Sequence, residues 1–218
     1  MVDIDNSKAD GDQTLTDPIE YMQNNYNGQN IFRFILTHPD MDHMSGLDEL
    51  SEKFSIINFW DTNHNKTMND DWEKSPYKKE DWEKYLKFRK SEEKPKCLTL
   101  RRSETSDCCW VEDGIEILSP STEMEKLAEE KSEYNHLSYV LMVKYAGVKI
   151  LLGGDATKEA WEEILKEFGA KNLKADIFLA PHHGSENNIH EDAFNAIAPD
   201  YVIVSVDEAR ARGKLMPL

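Results

Sequence analysis

Cysteine is scarce in this sequence: three residues, Cys97, Cys108 and Cys109. An odd set with one adjacent pair makes no disulfide framework and suits a reducing compartment. The Cys108-Cys109 pair reads as ordinary strand filling rather than a metal site. Long apolar runs are also missing. Nothing approaches the roughly 20 residues that cross a bilayer, and Met1 to Asp12 has neither the basic segment nor the apolar core of a signal peptide. The expectation is a cytoplasmic protein with no membrane segment in this chain. Basic charge is short: 26 Lys and Arg face 42 Asp and Glu, for a net charge of −16. That balance argues against a general nucleic-acid binder with a basic face, although divalent ions would offset negative charge locally. Internal repeats and low-complexity linkers are absent, so a single domain over 1–218 is expected.

The 39% hydrophobic share is enough for a sizeable core. Apolar and polar residues alternate from Val2 to Asp5 like a short strand, and a polar loop follows over 8–16. Asp17-Pro18 opens a helix that Asn27-Gly28 ends. Ile31 to Leu36 and Ile56 to Trp60 read as buried strands around a helix over Met44 to Phe54. Residues from about 61 to 96 differ in composition, with Trp72, Tyr77, Trp82, Tyr85 and Phe88 set among Lys, Glu and Asp. This insertion is read either as a substrate-contacting lid or as an amphipathic helix covering the core, the second being preferred. Cys97 to Leu100 is a strand. Cys109 to Val111 and Ile115 to Leu118 form a hairpin around Glu112-Asp113-Gly114. Thr122 to Lys131 is a polar helix. Ser138 to Tyr145 and Val148 to Leu152 form a second hairpin, and a helix over Lys158 to Phe168 stops at Gly169. Ile177 to Ala180 and Tyr201 to Val206 are strands flanking a helix over Glu191 to Ile197.

Three of these strands end alike. His38, Asp40, Asp42 and His43 follow Leu36; Asp155 follows Leu152 on a Gly-Gly turn; His182 and His183 follow Ala180. Sites in layered α/β folds collect at strand ends. Imidazole nitrogen and carboxylate oxygen suit zinc and manganese. His38 and Asp40, two apart in extended chain, point to one side, while Asp42 and His43 sit where the chain turns into a helix. Two ligand pairs imply two divalent ions, Zn2+ or Mn2+, with Asp155 the natural bridging carboxylate. Two ions held about 3.5–4 Å apart make a hydroxide nucleophile at neutral pH. Each motif alone is weak, since Asp155 could simply cap a helix, but the three in order after apolar strands are a joint signal.

The run His38-Pro-Asp40-Met-Asp42-His43-x-x-Gly46, then Leu-Gly-Gly-Asp155, then Pro-His182-His183-Gly184-Ser185 resembles the metallo-β-lactamase fold, in the branch typified by the ComEC competence proteins. The resemblance covers roughly Ile31 to Val206 apart from the insertion. It implies an αβ/βα sandwich with a dinuclear metal site and metal-dependent hydrolysis. It also implies a metal-binding His in the segment Tyr134 to Ser138, where His136 is the candidate and Asn135 its competitor. His183 matches the metal-binding position before Gly184, leaving His182 to contact the substrate phosphate or leaving group. Asp42 and His182 are thus the candidate catalytic residues. The resemblance further implies strands before Val2 and a longer tail after Val206, so a chain truncated at both ends is expected. Its exposed sheet edges would favour a homo-oligomer.

The activity this implies is a phosphodiesterase or DNA nuclease using a metal-bound hydroxide, with a phosphodiester such as single-stranded DNA as partner. The alternatives are a hydrolase of a small phosphoester or thioester, and a non-catalytic metal-stabilised interaction domain.

Overall fold

The computed structural model describes residues 1–6, 16–68, 71–102 and 111–205. Cys108, Cys109, most of the 8–16 loop, Val206 and the 207–218 tail lie outside them. The chain divides into two compact units, Met1–Thr99 and Leu100–Leu218, each with its own sheet and apolar core.

In the first unit, β1 (Ile4–Asp5) leads to α1 (Pro18–Tyr26), whose N-cap Asp17 accepts from the amides of Ile19 and Glu20. Strand β2 (Ile31–Ile35) is followed by a 3-10 turn over Met41–His43, a short β3 (Met44–Ser45) and α2 (Leu47–Lys53). Next come β4 (Ile56–Asp61), α3 (Lys79–Arg89) and β5 (Lys96–Thr99). The strands β2, β4 and β5 form a parallel sheet in the order β2-β4-β5. Parallel pairing with intervening helices suits the apolar residues Ile31, Phe34 and Ile35 of β2, while Phe32 is 51% exposed.

The helix expected from Met44 begins three residues later. Met44 and Ser45 pair in parallel with Ile4 and Asp5, and the Asn6 amide donates to Ser45 O at 2.9 Å. That bond holds the backbone extended up to Gly46, whose φ of +95° turns the chain into α2. A Cβ at Gly46 would come within 2.9 Å of Asn6 Cβ, so the close approach requires glycine.

In the 61–96 insertion, Trp82 and Tyr85 on α3 are buried in the same core cluster as Phe34, Leu47 and Phe59. Asp81 on the same helix is 1% exposed and accepts from the amides of Gly46 and Asp48, both at 2.9 Å. The face carrying Trp82 and Tyr85 is therefore a packing face, which favours the covering-helix reading over a lid.

In the second unit, β6 (Ile115–Ser119), α4 (Thr122–Lys131), β7 (Val140–Tyr145) and β8 (Val148–Leu152) precede α5 (Lys158–Phe168), β9 (Ile177–Leu179), α6 (Glu191–Ile197) and β10 (Tyr201–Ile203). The sheet order is β10-β9-β8-β7-β6, with β10, β9 and β8 parallel and β7 antiparallel to both its neighbours. Of the hairpin expected around Glu112-Asp113-Gly114, Cys109 and Trp110 of the first strand lie outside the described residues. Val111 to Gly114 is a turn, and β6 pairs with β7, an arrangement begun by the Lys144 amide donating to Gly114 O at 2.8 Å. The long apolar β7 has two edges to satisfy, and β8 covers only one. Helix α5 buries Ala160, Trp161 and Ile164 against Phe178 and Leu151.

Among the described residues, no helix is long and apolar enough to cross a membrane.

Candidate metal centre

In the first unit, β2 delivers four candidate ligands in six residues, at the carboxyl end of a parallel strand. The backbone folds on itself at once: the Asp40 amide donates to His38 O at 3.0 Å and the His43 amide to Asp40 O at 3.1 Å. The His38 and His43 rings lie 4.2 Å apart, centroid to centroid. Each offers a ring nitrogen within 4.8 Å of the other, and the same bound holds for Asp42 and His43.

Asp3 organises this group. Its Oδ1 accepts from the Thr37 amide at 2.7 Å; its Oδ2 accepts from the Thr37 hydroxyl at 2.8 Å and lies 2.9 Å from His43 Nδ1. A carboxylate can only accept, so His43 carries a proton on Nδ1 and presents Nε2 as its ligand atom. The Thr37 hydroxyl spends its single proton on Asp3. Its oxygen therefore accepts from His38 Nδ1, 3.1 Å away, and the second ring is fixed in the same tautomer. Asp40 places Oδ2 3.6 Å from His38 Nε2 and pairs Oδ1 with the Lys66 ammonium. Burial pushes the Asp40 carboxyl up, but His38 and Lys66 outweigh it and hold the group well below the usual carboxylate range. Asp3 escaped the sequence reading, in which Val2 to Asp5 is only a short strand entering a loop.

In the second unit, the candidates come from three separate places. His136 sits in a 3-10 turn over Tyr134–Leu137, is 1% exposed, and engages Thr157 Oγ1 through Nδ1 at 2.7 Å. Its Nε2 is buried without a hydrogen bond, and burial lowers the ring's pKa against the opposing charge of Glu133 and Glu159. Nε2 lies 3.4 Å from Glu133 Oε2, and a neutral imidazole whose buried Nε2 makes no hydrogen bond fits a metal ligand. Asn135, its competitor, instead directs Nδ2 towards His182 Nδ1 at 3.4 Å. Asp155 is 4% exposed, and its amide donates to Ser138 Oγ at 3.1 Å. Gly153 makes its turn possible, because a Cβ there would meet Leu179 O at 2.9 Å.

His182 and His183 both take left-handed backbone, with φ of 48° and 55°, an uncommon state for residues other than glycine. Consecutive left-handed residues send the two rings apart, with planes at 81°. His183 Nδ1 lies 2.9 Å from Ser205 O, an acceptor, so this ring also carries its proton on Nδ1. His182 is the exception. Its side chain is 40% exposed, and its Nδ1 faces the Asn135 amide and lies 3.9 Å from Asp155 Oδ2. Four of the candidate histidines are thus tied down through Nδ1, and the fifth is turned outward.

Comparisons with known proteins agree with this chemistry. A match to the family model described as the metallo-beta-lactamase superfamily spans residues 11–206. Over 172 residues the sequence is 26% identical to ComE operon protein 3 of Bacillus subtilis (strain 168), covering 78% of this chain and 19% of that protein. Over 105 residues it is 31% identical to competence protein ComA of Neisseria gonorrhoeae, covering 47% of this chain and 14% of that protein. The chain therefore corresponds to less than a fifth of the length of either relative. With a family match over most of its length, strands that end in imidazole and carboxylate, and ComEC-like relatives, the chain belongs to the metallo-β-lactamase superfamily.

Proposed function

We propose that this chain is a metal-dependent hydrolase of phosphodiesters, with single-stranded DNA as the leading substrate. Superfamily membership supports metal-dependent hydrolysis. The substrate reading draws on the competence proteins among its relatives and on the acid-rich first motif. The single observation that carries the reading is the shared Nδ1 tether of His38, His43, His136 and His183, which leaves Nε2 as the ligand atom of each ring. With Asp40, Asp42 and Asp155 these are the proposed ligands of two divalent ions, Zn2+ or Mn2+. Such ions, when bound, supply an acidified water and Lewis-acid stabilisation of the charge that develops on phosphate.

The protein's own residues do the rest. Asp3 and Thr37 lock two rings before any ligand arrives, so little reorganisation is left for the reaction. In this reading Asp42 orients the attacking water. His182 accepts at Nδ1 from Asn135 and so holds its proton on Nε2, where it can pass to the leaving oxygen. Asn135 acts through His182, as a positioning residue.

The test is cleavage of single-stranded DNA by the chain with Mn2+ or Zn2+. Activity is expected in the wild type and not in Asp155→Ala. Equal cleavage by that variant, or none by the wild type, rejects the reading.

A further inference from the structure

Lys66 lies outside every ligand motif, in the segment that follows β4, yet its ammonium is ion-paired with Oδ1 of Asp40. Buried polar contacts running back to α3 hold this segment in place. Arg89 Nε is 2.6 Å from Asp61 Oδ2, and the Tyr85 hydroxyl donates to Asp61 Oδ1 at 2.9 Å. His64 Nε2 lies 2.5 Å from that hydroxyl, and Arg89 Nη2 donates to His64 O at 3.0 Å. The backbone amide of Lys66 then donates to His64 Nδ1 at 3.0 Å. A chain of hydrogen bonds thus aims one lysine at one oxygen of Asp40, and its side chain keeps 18% exposure. The other oxygen, Oδ2, is the one beside His38 Nε2. Asp40 divides its two oxygens between a cation of the chain and the ligand position it shares with His38.

A lysine needed only for solubility requires no such support. A carboxylate that also ligates a divalent ion no longer neutralises the ammonium on its second oxygen. A held positive charge then stands one carboxylate away from the ion. An ammonium so placed recognises an oxyanion by charge-assisted hydrogen bonds. We propose that Lys66 is a substrate-binding residue that takes a non-bridging oxygen of the phosphoryl group, and that the Asp61–His64–Tyr85–Arg89 network positions it. The inference deepens the phosphodiester reading and takes its substrate class from that reading.

The experiment is calorimetric titration of the whole chain with Mn2+ alone, then with inorganic phosphate at saturating Mn2+, for the wild type, Lys66→Met and Lys66→Arg. Lys66→Met is expected to keep the wild-type Mn2+ stoichiometry and weaken phosphate binding by about tenfold or more, with Lys66→Arg recovering most of it. Unchanged phosphate affinity in Lys66→Met overturns the proposal. So does a fall in Mn2+ stoichiometry that matches the loss of phosphate, because Lys66 would then only be holding Asp40. Phosphate binding is read without turnover. A chain that shows the expected pattern but cuts no DNA rejects the diesterase reading and upholds the role of Lys66.

Discussion

The two groups of candidate ligands reach similar chemistry by opposite means. In the first unit, His38, Asp40, Asp42 and His43 lie within six residues and are braced by a charged group, Asp3, which holds both Thr37 and His43. In the second, His136, Asp155 and His183 come from separate loops and are braced by neutral ones: the Thr157 and Ser138 hydroxyls and the Ser205 carbonyl. A contiguous motif must be folded tightly on itself, and a buried carboxylate that bonds Thr37 and His43 together does that in one step. Dispersed ligands are positioned by the strand ends of the sheet, and the rings of His136 and His183 are oriented through Nδ1 by neutral oxygens. Loss of a brace should therefore spread through the first group and stay local in the second.

Four substitutions or conditions sharpen that contrast. The largest effect is expected where the first unit's core holds the loop from behind. Trp82→Ala should cost about 3–5 kcal/mol of stability, seen as a lower denaturation midpoint. A loss of substrate affinity without that shift would restore the lid reading. Asp3→Ala removes three hydrogen bonds at once and should weaken divalent-ion binding about a hundredfold, at the upper end for an outer-shell partner. Metal titration measures this, and a change at His43 alone would contradict the spreading effect. Thr157→Val removes one tether in the second unit and should weaken binding by only about tenfold in the same titration. An equal loss in both variants would erase the contrast.

The smallest effect is a pH dependence. Burial lowers the pKa of His64, with Asp61 opposing it only in part. The unfolded chain therefore takes up a proton first, and stability drains away as pH falls below the ordinary histidine value of about 6.5. The melting temperature should drop between about pH 7.5 and about pH 5.5, and His64→Gln should flatten that slope. An identical slope in the variant would assign the effect to other groups.

Legibility in the sequence follows the same division. The first motif is legible only together with the others: four ligand-type side chains within six residues point to a metal once Asp155 and the His182-His183 pair are seen to follow apolar strands in the same way. His136 needs a family resemblance: one imidazole in a short polar turn carries no periodic signal, and its partner Thr157 is 21 residues away. Helices with strong caps, such as α1 behind Asp17-Pro18 and α5 behind Thr157, are clear. The start of α2 is not, since the pairing of Met44 with Ile4 depends on a strand 40 residues upstream. The insertion's role also stays open in the sequence. A buried aspartate that caps a helix from another element looks like any surface acid until the amides that donate to it are seen.

The tether at Nδ1 also gives the protein a built-in reporter. A ring proton held between imidazole and carboxylate, as in His43 and Asp3, exchanges slowly and resonates far downfield of ordinary side-chain protons. One such resonance should be visible by magnetic resonance. A diamagnetic ion such as Zn2+ should shift it without broadening, and Mn2+ should erase it. Occupancy beside His43 could then be followed with no substrate present.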